Sequence, residues 1–263
     1  MKPRGLTVGT LAATALSISL GQVAFAADLP ANAAPVAYYK APVAHAYNWT
    51  GFYIGGHFGG AWGDKKWFED ATGSGTGVGP VGLLDGSYKV SGVLGGGQLG
   101  ANYQTGWAVL GIEADISGAG INGSTASGAC FATIGGNQSC STKINWLSTV
   151  TGRLGAAFDR TLVYAKGGFA WAHEKHENPF NFGGAANDTD VGNETRGGWT
   201  IGGGVEYAWA ASWSVKLEYD YMGFGTRNVS FHDPAGGGYT EDIRQNLHVI
   251  KVGINYRFGG PVH

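Results

Sequence analysis

Charge is scarce in this chain. Asp, Glu, Lys and Arg make up 14 % of its 263 residues, about half the usual share. No run of Lys and Arg could neutralise a series of phosphates, and the formal net charge is −2. Both facts argue against a nucleic-acid partner. Long hydrophobic runs are missing too. Beyond the N-terminus no stretch of about eighteen apolar residues occurs, which argues against a helical integral membrane protein. It says nothing against a membrane β-barrel, whose hydropathy signal is weak in each segment. Proline is limited to 8 residues while glycine reaches 48. The glycines do not recur at every third position, so a collagen-like helix is excluded. The 9 Trp, 12 Tyr and 12 Phe are too many for a disordered chain.

Abundant glycine and aromatics with alternating runs suit a closed all-β architecture. The last regular segment, Leu247 to Phe258, carries this pattern most clearly. His248, Ile250, Val252, Ile254, Tyr256 and Phe258 share one parity; Val249, Lys251, Gly253, Asn255 and Arg257 share the other. Such a strand places lipid or a core on one side and a polar compartment on the other. Its length suits a tilted membrane strand of about nine to eleven residues. It cannot remain an edge in lipid, because each unpaired backbone group would cost several kcal/mol. It must close onto another strand, and the candidate is the first one, near Thr50.

The N-terminus reads as an address. Lys2 and Arg4 precede a mildly apolar stretch, and Ala24-Phe25-Ala26 fits a cleavage site before Ala27. A signal peptide over 1–26 is expected, with export to the periplasm and a final place in the outer membrane. Residues 27–47 form an Ala/Pro-rich periplasmic segment without periodicity. The barrel itself is expected over 48–258, followed by a short tail, 259–263.

Alternation then marks strands near 50–62, 88–103, 107–118, 144–158, 163–171, 199–207, 213–221 and 247–258. Short turns at 104–106, 159–161 and 208–212 alternate with long connections at about 63–86, 118–144, 173–195 and 223–244. The hairpin-plus-loop unit recurs at about fifty residues. Short turns on one side and long loops on the other characterise outer-membrane barrels. Trp49, Trp107, Trp209 and Trp213 fall beside the short turns or the N-terminus. Trp62, Trp146, Trp171 and Trp199 fall beside the long loops, and Trp67 within one. Two rims of amphipathic rings match the interfacial girdles of a membrane barrel. The expected fold is an all-β, eight-stranded, antiparallel, up-and-down transmembrane β-barrel with both termini in the periplasm.

Asn48-Trp49-Thr50-Gly51-Phe52-Tyr53-Ile54-Gly55-Gly56 near the mature N-terminus and Val252-Gly253-Ile254-Asn255-Tyr256-Arg257-Phe258 at the end resemble the small outer-membrane barrels of alphaproteobacteria. These are the outer-membrane immunogenic, porin-family or haemin-binding proteins, similar in architecture to the barrel of outer-membrane protein A. The resemblance covers 24–258. It implies outer-membrane lipid and the barrel-assembly machinery as partners, and contacts with haem or host surfaces through the loops. The family usually stops at its terminal aromatic residue; here Gly259 to His263 follow Phe258.

Three constellations stand out. Glu113, Asp115, Arg153, Lys166, Glu206, Lys216, Glu218, Asp220, Lys251 and Arg257 all take the polar parity of their strands. Lone buried charges are prohibitive, so these should pair across the lumen. They form either a salt-bridged plug or a narrow ion path. Cys130 and Cys140 lie in one long connection of an exported chain and suggest a disulfide, contributing roughly 2.5–3 kcal/mol in the chain-entropy model. His173 and His176, with His232 in another loop on the same side, could ligate a haem iron or form part of a solvated loop. The resemblance to haemin-binding relatives favours weighing the first. Catalysis has little support. His57 faces inward without a Ser or carboxylate partner identifiable from sequence, and Gly95-Gly96-Gly97 lacks the helix and Lys-Ser/Thr of a phosphate loop. No enzymatic activity is expected, and no metal or resident cofactor apart from the haem alternative. The readings carried forward are a structural envelope barrel with exposed loops, a porin-like conductor, and a loop-based haem binder. A lipocalin-like carrier would need the opposite parity, and an outer-membrane enzyme a clustered catalytic set.

Overall fold

The computed structural model describes residues 47–69, 84–125, 141–180, 188–232 and 238–258. Eight strands follow in order: β1 (Gly51–Glu69), β2 (Leu84–Thr105), β3 (Ala108–Ser124), β4 (Ser141–Phe158), β5 (Thr161–Phe180), β6 (Asp188–Ala208), β7 (Trp213–His232) and β8 (Gly238–Phe258). Each pairs antiparallel with its sequence neighbour, and β8 returns to β1, so the sheet closes. The closing register runs from Phe52↔Phe258 to Glu69↔Glu241. Closure leaves no edge, as lipid demands. The signal segment 1–26, residues 27–46 of the Ala/Pro-rich segment, Cys130, Cys140 and the tail 259–263 lie outside the described residues.

The short turns fall at the expected places. Gly106 takes a left-handed φ of +58° between β2 and β3, where glycine carries no Cβ penalty. Asp159 adopts φ +52° between β4 and β5. There its Oδ1 accepts the Tyr47 N–H at 3.1 Å, and its carbonyl accepts the Trp49 indole N–H at 3.2 Å. Trp49 is therefore not a lipid-facing ring of the lower rim. It is buried beneath the barrel against Val109, Leu162 and Ala208.

The strands are longer than the alternation suggested, from 17 residues in β3 to 22 in β2. That is up to about twice the length needed to cross a bilayer. Much of 63–69, 84–86, 173–180, 188–195 and 223–232, read above as loop, is paired sheet that rises beyond the span. The physical reason is a change of surroundings at constant parity. Within the span, Phe52, Ile54, Leu99, Ile112, Phe169 and Leu217 point outward and are exposed, while Glu113, Lys166 and Lys216 point in and are buried. Above it, Asp64, Lys66 and Lys89 point outward, while Trp67, Val90 and Ile243 are fully buried inside. A search for outward apolar residues finds nothing there and ends the strand too early.

Register shifts at Gly118/Ile121, Ile144/Trp146 and Gly223/Gly225 lie near this transition. A bulge adds a residue on one strand and exchanges its faces. Ile144, expected outward, is accordingly fully buried, whereas Trp146 stays outside. Trp107, Trp209 and Trp213 form the lower exposed ring, and Trp62, Trp171 and Trp199 the upper. Trp67 belongs to neither, since it lies in β1 with no exposed surface.

Leu217 faces lipid beside the buried Lys216, between Val205 and Val252 on the flanking strands. Leu217→Arg should cost about 2–4 kcal/mol near the midplane, measured by urea unfolding in lipid vesicles. A smaller loss from Leu217→Arg than from Lys216→Arg would show that the two faces are exchanged.

Candidate functional site

The lumen is filled in layers. At the level of the span, Glu113 on β3 lies at the centre of an ion-pair network. Lys166 and Lys216 each donate to it at 3.0 Å, and the Arg153 guanidinium stands at 3.5 Å. Arg153 also donates to Glu206 at 2.9 Å and to the Tyr53 hydroxyl at 2.8 Å; Tyr53 in turn donates to Glu113 at 2.8 Å. Lys166 reaches Glu218 at 3.0 Å, and Lys251 joins Glu218 at 3.0 Å, Asp220 at 2.8 Å and Asp115 at 3.6 Å. Glu206 further accepts from Ser214 at 2.5 Å and Asn255 at 2.9 Å. Desolvating so many charges is tolerable only because nearly every oxygen and ammonium meets a partner.

Nine of the ten inward charges read from the sequence thus come together: Glu113, Asp115, Arg153, Lys166, Glu206, Lys216, Glu218, Asp220 and Lys251. Arg257 stays apart. It donates to the Ala211 carbonyl at 2.9 Å and lies over the Tyr47 ring at 4.2 Å, at the turn end of the barrel. Position near the end of β8 explains this, because parity selects the face and not the height. His57 faces inward as expected. Its ring bonds the Gln98 side chain and, at 2.7 Å, the Ser117 hydroxyl. The structure thus supplies the Ser partner that the sequence did not identify, with the Gln98 amide rather than a carboxylate on the other ring nitrogen.

Above the network the lumen turns apolar, with Ala61, Leu94, Leu147, Ala170, Met222 and Leu247 in one buried cluster. Higher still, beyond the upper Trp ring, lies a second charged group that strand reading missed. Lys65 donates to Glu174 at 2.6 Å; Arg196 approaches Glu174 at 3.6 Å and chelates Glu194. His176 Nε2 stands 3.4 Å from Glu174, and its Nδ1 meets the Thr142 hydroxyl at 2.9 Å. The missed signal was the period-two spacing of Lys65 with Trp67 and of Glu174 with His176. Glu174, His176 and Glu194 bring ligand atoms within 4.8 Å of one another. Lys65 and Arg196 already neutralise both carboxylates, so this is an ion-pair cluster and not a vacant cation cage. Burial pushes the Lys65 ammonium down to about 8, against the pull of Glu174. Burial also pushes Glu174 up, but Lys65, His176 and Arg196 more than offset it and hold the carboxyl below its usual range. At pH 7 both stay charged.

The structure does not bring the three candidate haem ligands together. His173 and His176 sit in β5, not in a loop, and their odd spacing puts them on opposite faces. His173 stacks on Trp146 outside the wall, with ring centroids 5.8 Å apart; His176 is fully buried inside. The backbone of His232 pairs with Gly238 at the top of β7 and β8, and its side chain lies outside the described residues. One iron cannot reach both faces of a strand, so His173 and His176 do not fit a shared haem.

The model of the outer membrane protein beta-barrel domain matches residues 24–258. The chain belongs to this outer-membrane β-barrel family. It is similar to the 31 kDa outer-membrane immunogenic protein of Brucella melitensis, 36 % identical over 89 % of this chain and 93 % of that one. The 22 kDa outer membrane protein of Rhizobium leguminosarum bv. viciae is 28 % identical over 83 % of this chain and 82 % of its own. The outer membrane protein OprG from Pseudomonas aeruginosa superposes with a TM-score of 0.48 at 11 % identity, covering 81 % of this chain and 99 % of that one. This barrel is therefore an outer-membrane protein of the alphaproteobacterial type, set in lipid.

Two measurements probe the lumen. Glu113→Gln leaves Lys166, Lys216 and Arg153 short of their shared anion and should cost about 3–5 kcal/mol. Adding Lys216→Met should recover part of the loss in the same urea titration; strictly additive losses would deny the coupling. The upper cluster should respond to acid. Because the folded-state value of Glu174 is depressed, its stabilisation is complete above its ordinary value of 4.5 and is lost as pH falls through the lower folded value. Trp67, whose ring lies 5.9 Å from that of His176, should report the change in its fluorescence. In Glu174→Gln that acid transition should disappear, and its persistence would assign the transition to another group.

Proposed function

We propose that this chain is a non-catalytic structural barrel of the outer membrane that displays its long-loop end to the exterior, with both termini in the periplasm. The observation that carries this reading is the filled lumen. Lys166, Lys216 and Lys251 are each less than 5 % exposed and bound to carboxylates. Leu94, Leu147 and Leu247 belong to the buried apolar cluster of the lumen above them. An eight-stranded barrel has an interior about wide enough for its own side chains, and an ion would have to break buried pairs and then cross an apolar layer. Porin-like passage is thereby disfavoured. Recognition is assigned to the exposed wall and loops at the long-loop end. That relatives such as the Brucella melitensis protein are named immunogenic supports surface display here as well. Assembly through the barrel-assembly machinery, after removal of residues 1–26, completes the proposal.

Planar-bilayer recording of the refolded chain tests it. No steady conductance above the bare membrane is expected. A large, stable single-channel current that persists in Glu113→Gln would overturn the structural reading in favour of a pore.

A further inference from the structure

One seam of the wall is interrupted midway. Between β6 and β7 the register runs from Ala208↔Ser214 up to Trp199↔Gly223, then resumes only at Val191↔His232. Residues 192–198 of β6 and 224–231 of β7 find no cross-strand partner in each other. On their other sides both strands remain paired. β6 follows β5 up to Phe180↔Asp188, and β7 follows β8, through one bulge, up to His232↔Gly238. The breach therefore lies between two intact hairpins, and it begins at the level of Trp199 in the upper ring. A local cause lies in β7. Gly225 takes a left-handed φ of +65°, and the β7–β8 register shifts between Gly223 and Gly225. A bulge with glycine in that conformation bends its strand, so β7 stays with β8 and leaves β6.

Several side chains along the breach are tied to their own hairpin. On β6 the Thr195 hydroxyl meets His173 Nδ1 of β5 at 3.0 Å. On β7 the Thr226 hydroxyl accepts from Arg244 of β8 at 3.2 Å, and Asn228 donates to Asp242 of β8 at 3.4 Å. Arg196 behaves differently. Its Nε donates to Glu194 at 2.7 Å, while its Nη1 donates to the Ile243 carbonyl of β8 at 3.3 Å. Ile243 is the β8 partner of Arg227, and Arg196 is buried, so this bond runs along the lumen side of β7 and ties one bank to the other. Phe224, Val229 and Ile243 of the apolar cluster lie behind the breach. Below, the short turn 208–212 joins β6 to β7; at the top each strand leads into its own hairpin connection. The two hairpins can part above the membrane while the chain below stays in place. A stretch of wall without ladder bonds opens at lower free energy than the paired sheet beside it.

We propose that the upper β6–β7 seam is a lateral gate, latched by Arg196 on the Ile243 carbonyl, at which the β5–β6 and β7–β8 hairpins part and expose the apolar upper lumen sideways. The gate is not a pore. The ladder is continuous from Trp199↔Gly223 downward, and the ion-pair network fills the bore beneath it. Nor does the gate depend on which end of the barrel faces outward.

Thiol trapping of the refolded full chain in detergent micelles tests it, in a Cys130→Ser/Cys140→Ser background. Phe224→Cys places a thiol behind the seam. Val90→Cys places one in the buried lumen behind the paired β1–β2 wall, at a similar height. A bulky water-soluble maleimide should react at position 224, and about tenfold more slowly or not at all at position 90. Arg196→Lys keeps a cation beside Glu174 and Glu194 but lacks the fork that also reaches Ile243. It should speed the reaction at 224 and leave that at 90 unchanged. Heat-modifiable gel mobility verifies folding of each variant. Hydrogen–deuterium exchange of the unmodified chain gives a second reading, free of the cavity that Phe224→Cys leaves. Amides of 193–198 and 224–231 should exchange faster than those of 64–68, which are paired on both sides. Their rates should hardly respond to low urea, because local opening exposes little surface. The gate is overturned if positions 224 and 90 react alike, if Arg196→Lys changes nothing or speeds both, or if seam exchange rises with urea as steeply as global unfolding.

Discussion

Backbone pairing in a medium that offers no hydrogen bonds is the constraint on which the rest of this molecule depends. In hydrocarbon an unpaired strand edge costs several kcal/mol for each exposed group. The pairing of β8 with β1, from Phe258 to Glu241, removes the last edge. Once the sheet is closed, every side chain has only two destinations, lumen or lipid, and strict alternation follows. The inward charges are a consequence of this geometry. A polar residue on the inward parity cannot turn to solvent and must find a partner across a narrow bore. Tyr53, Arg153 and Glu206 show how one such chain of partners runs from strand to strand.

The same closed sheet continues beyond the bilayer, and there its two faces exchange character. Inside the span the outer face is apolar and the lumen charged. Above it, Lys66 and Lys89 face water while Trp67, Val90, Ile121 and Ile243 pack within. The upper section is thus an ordinary β-barrel with a hydrophobic core, built on a membrane barrel with a polar one. The bulges near Gly118, Ile144 and Gly223 sit close to this boundary. They let individual strands exchange faces without breaking the closure.

How far the sequence could be read follows from this exchange. Strands whose apolar residues face lipid were legible, as in Trp199, Ile201, Val205 and Tyr207 or Leu110, Ile112, Ala114 and Ile116. The parity that identified them also placed nine of the ten lumenal charges. Alternation carries no information about height, so Arg257 was grouped with a network it does not join, and Trp49 was counted in a rim although it plugs the lower end. The upper strands were illegible for another reason. Their outward residues are polar and their inward ones mix Trp67 with Lys65 and Glu174 with Ala172, so no lipid-facing stripe remains to be seen. The histidines failed similarly. In a loop, His173 and His176 could converge; in a strand, an odd spacing separates them.

Closure also decides where this chain can carry recognition. The lumen is committed to mutual neutralisation, and any change there leaves a buried charge without its partner. The lipid face is committed to apolar contact. Only the outward surface above the Trp rings escapes both demands, because water tolerates any polar choice there.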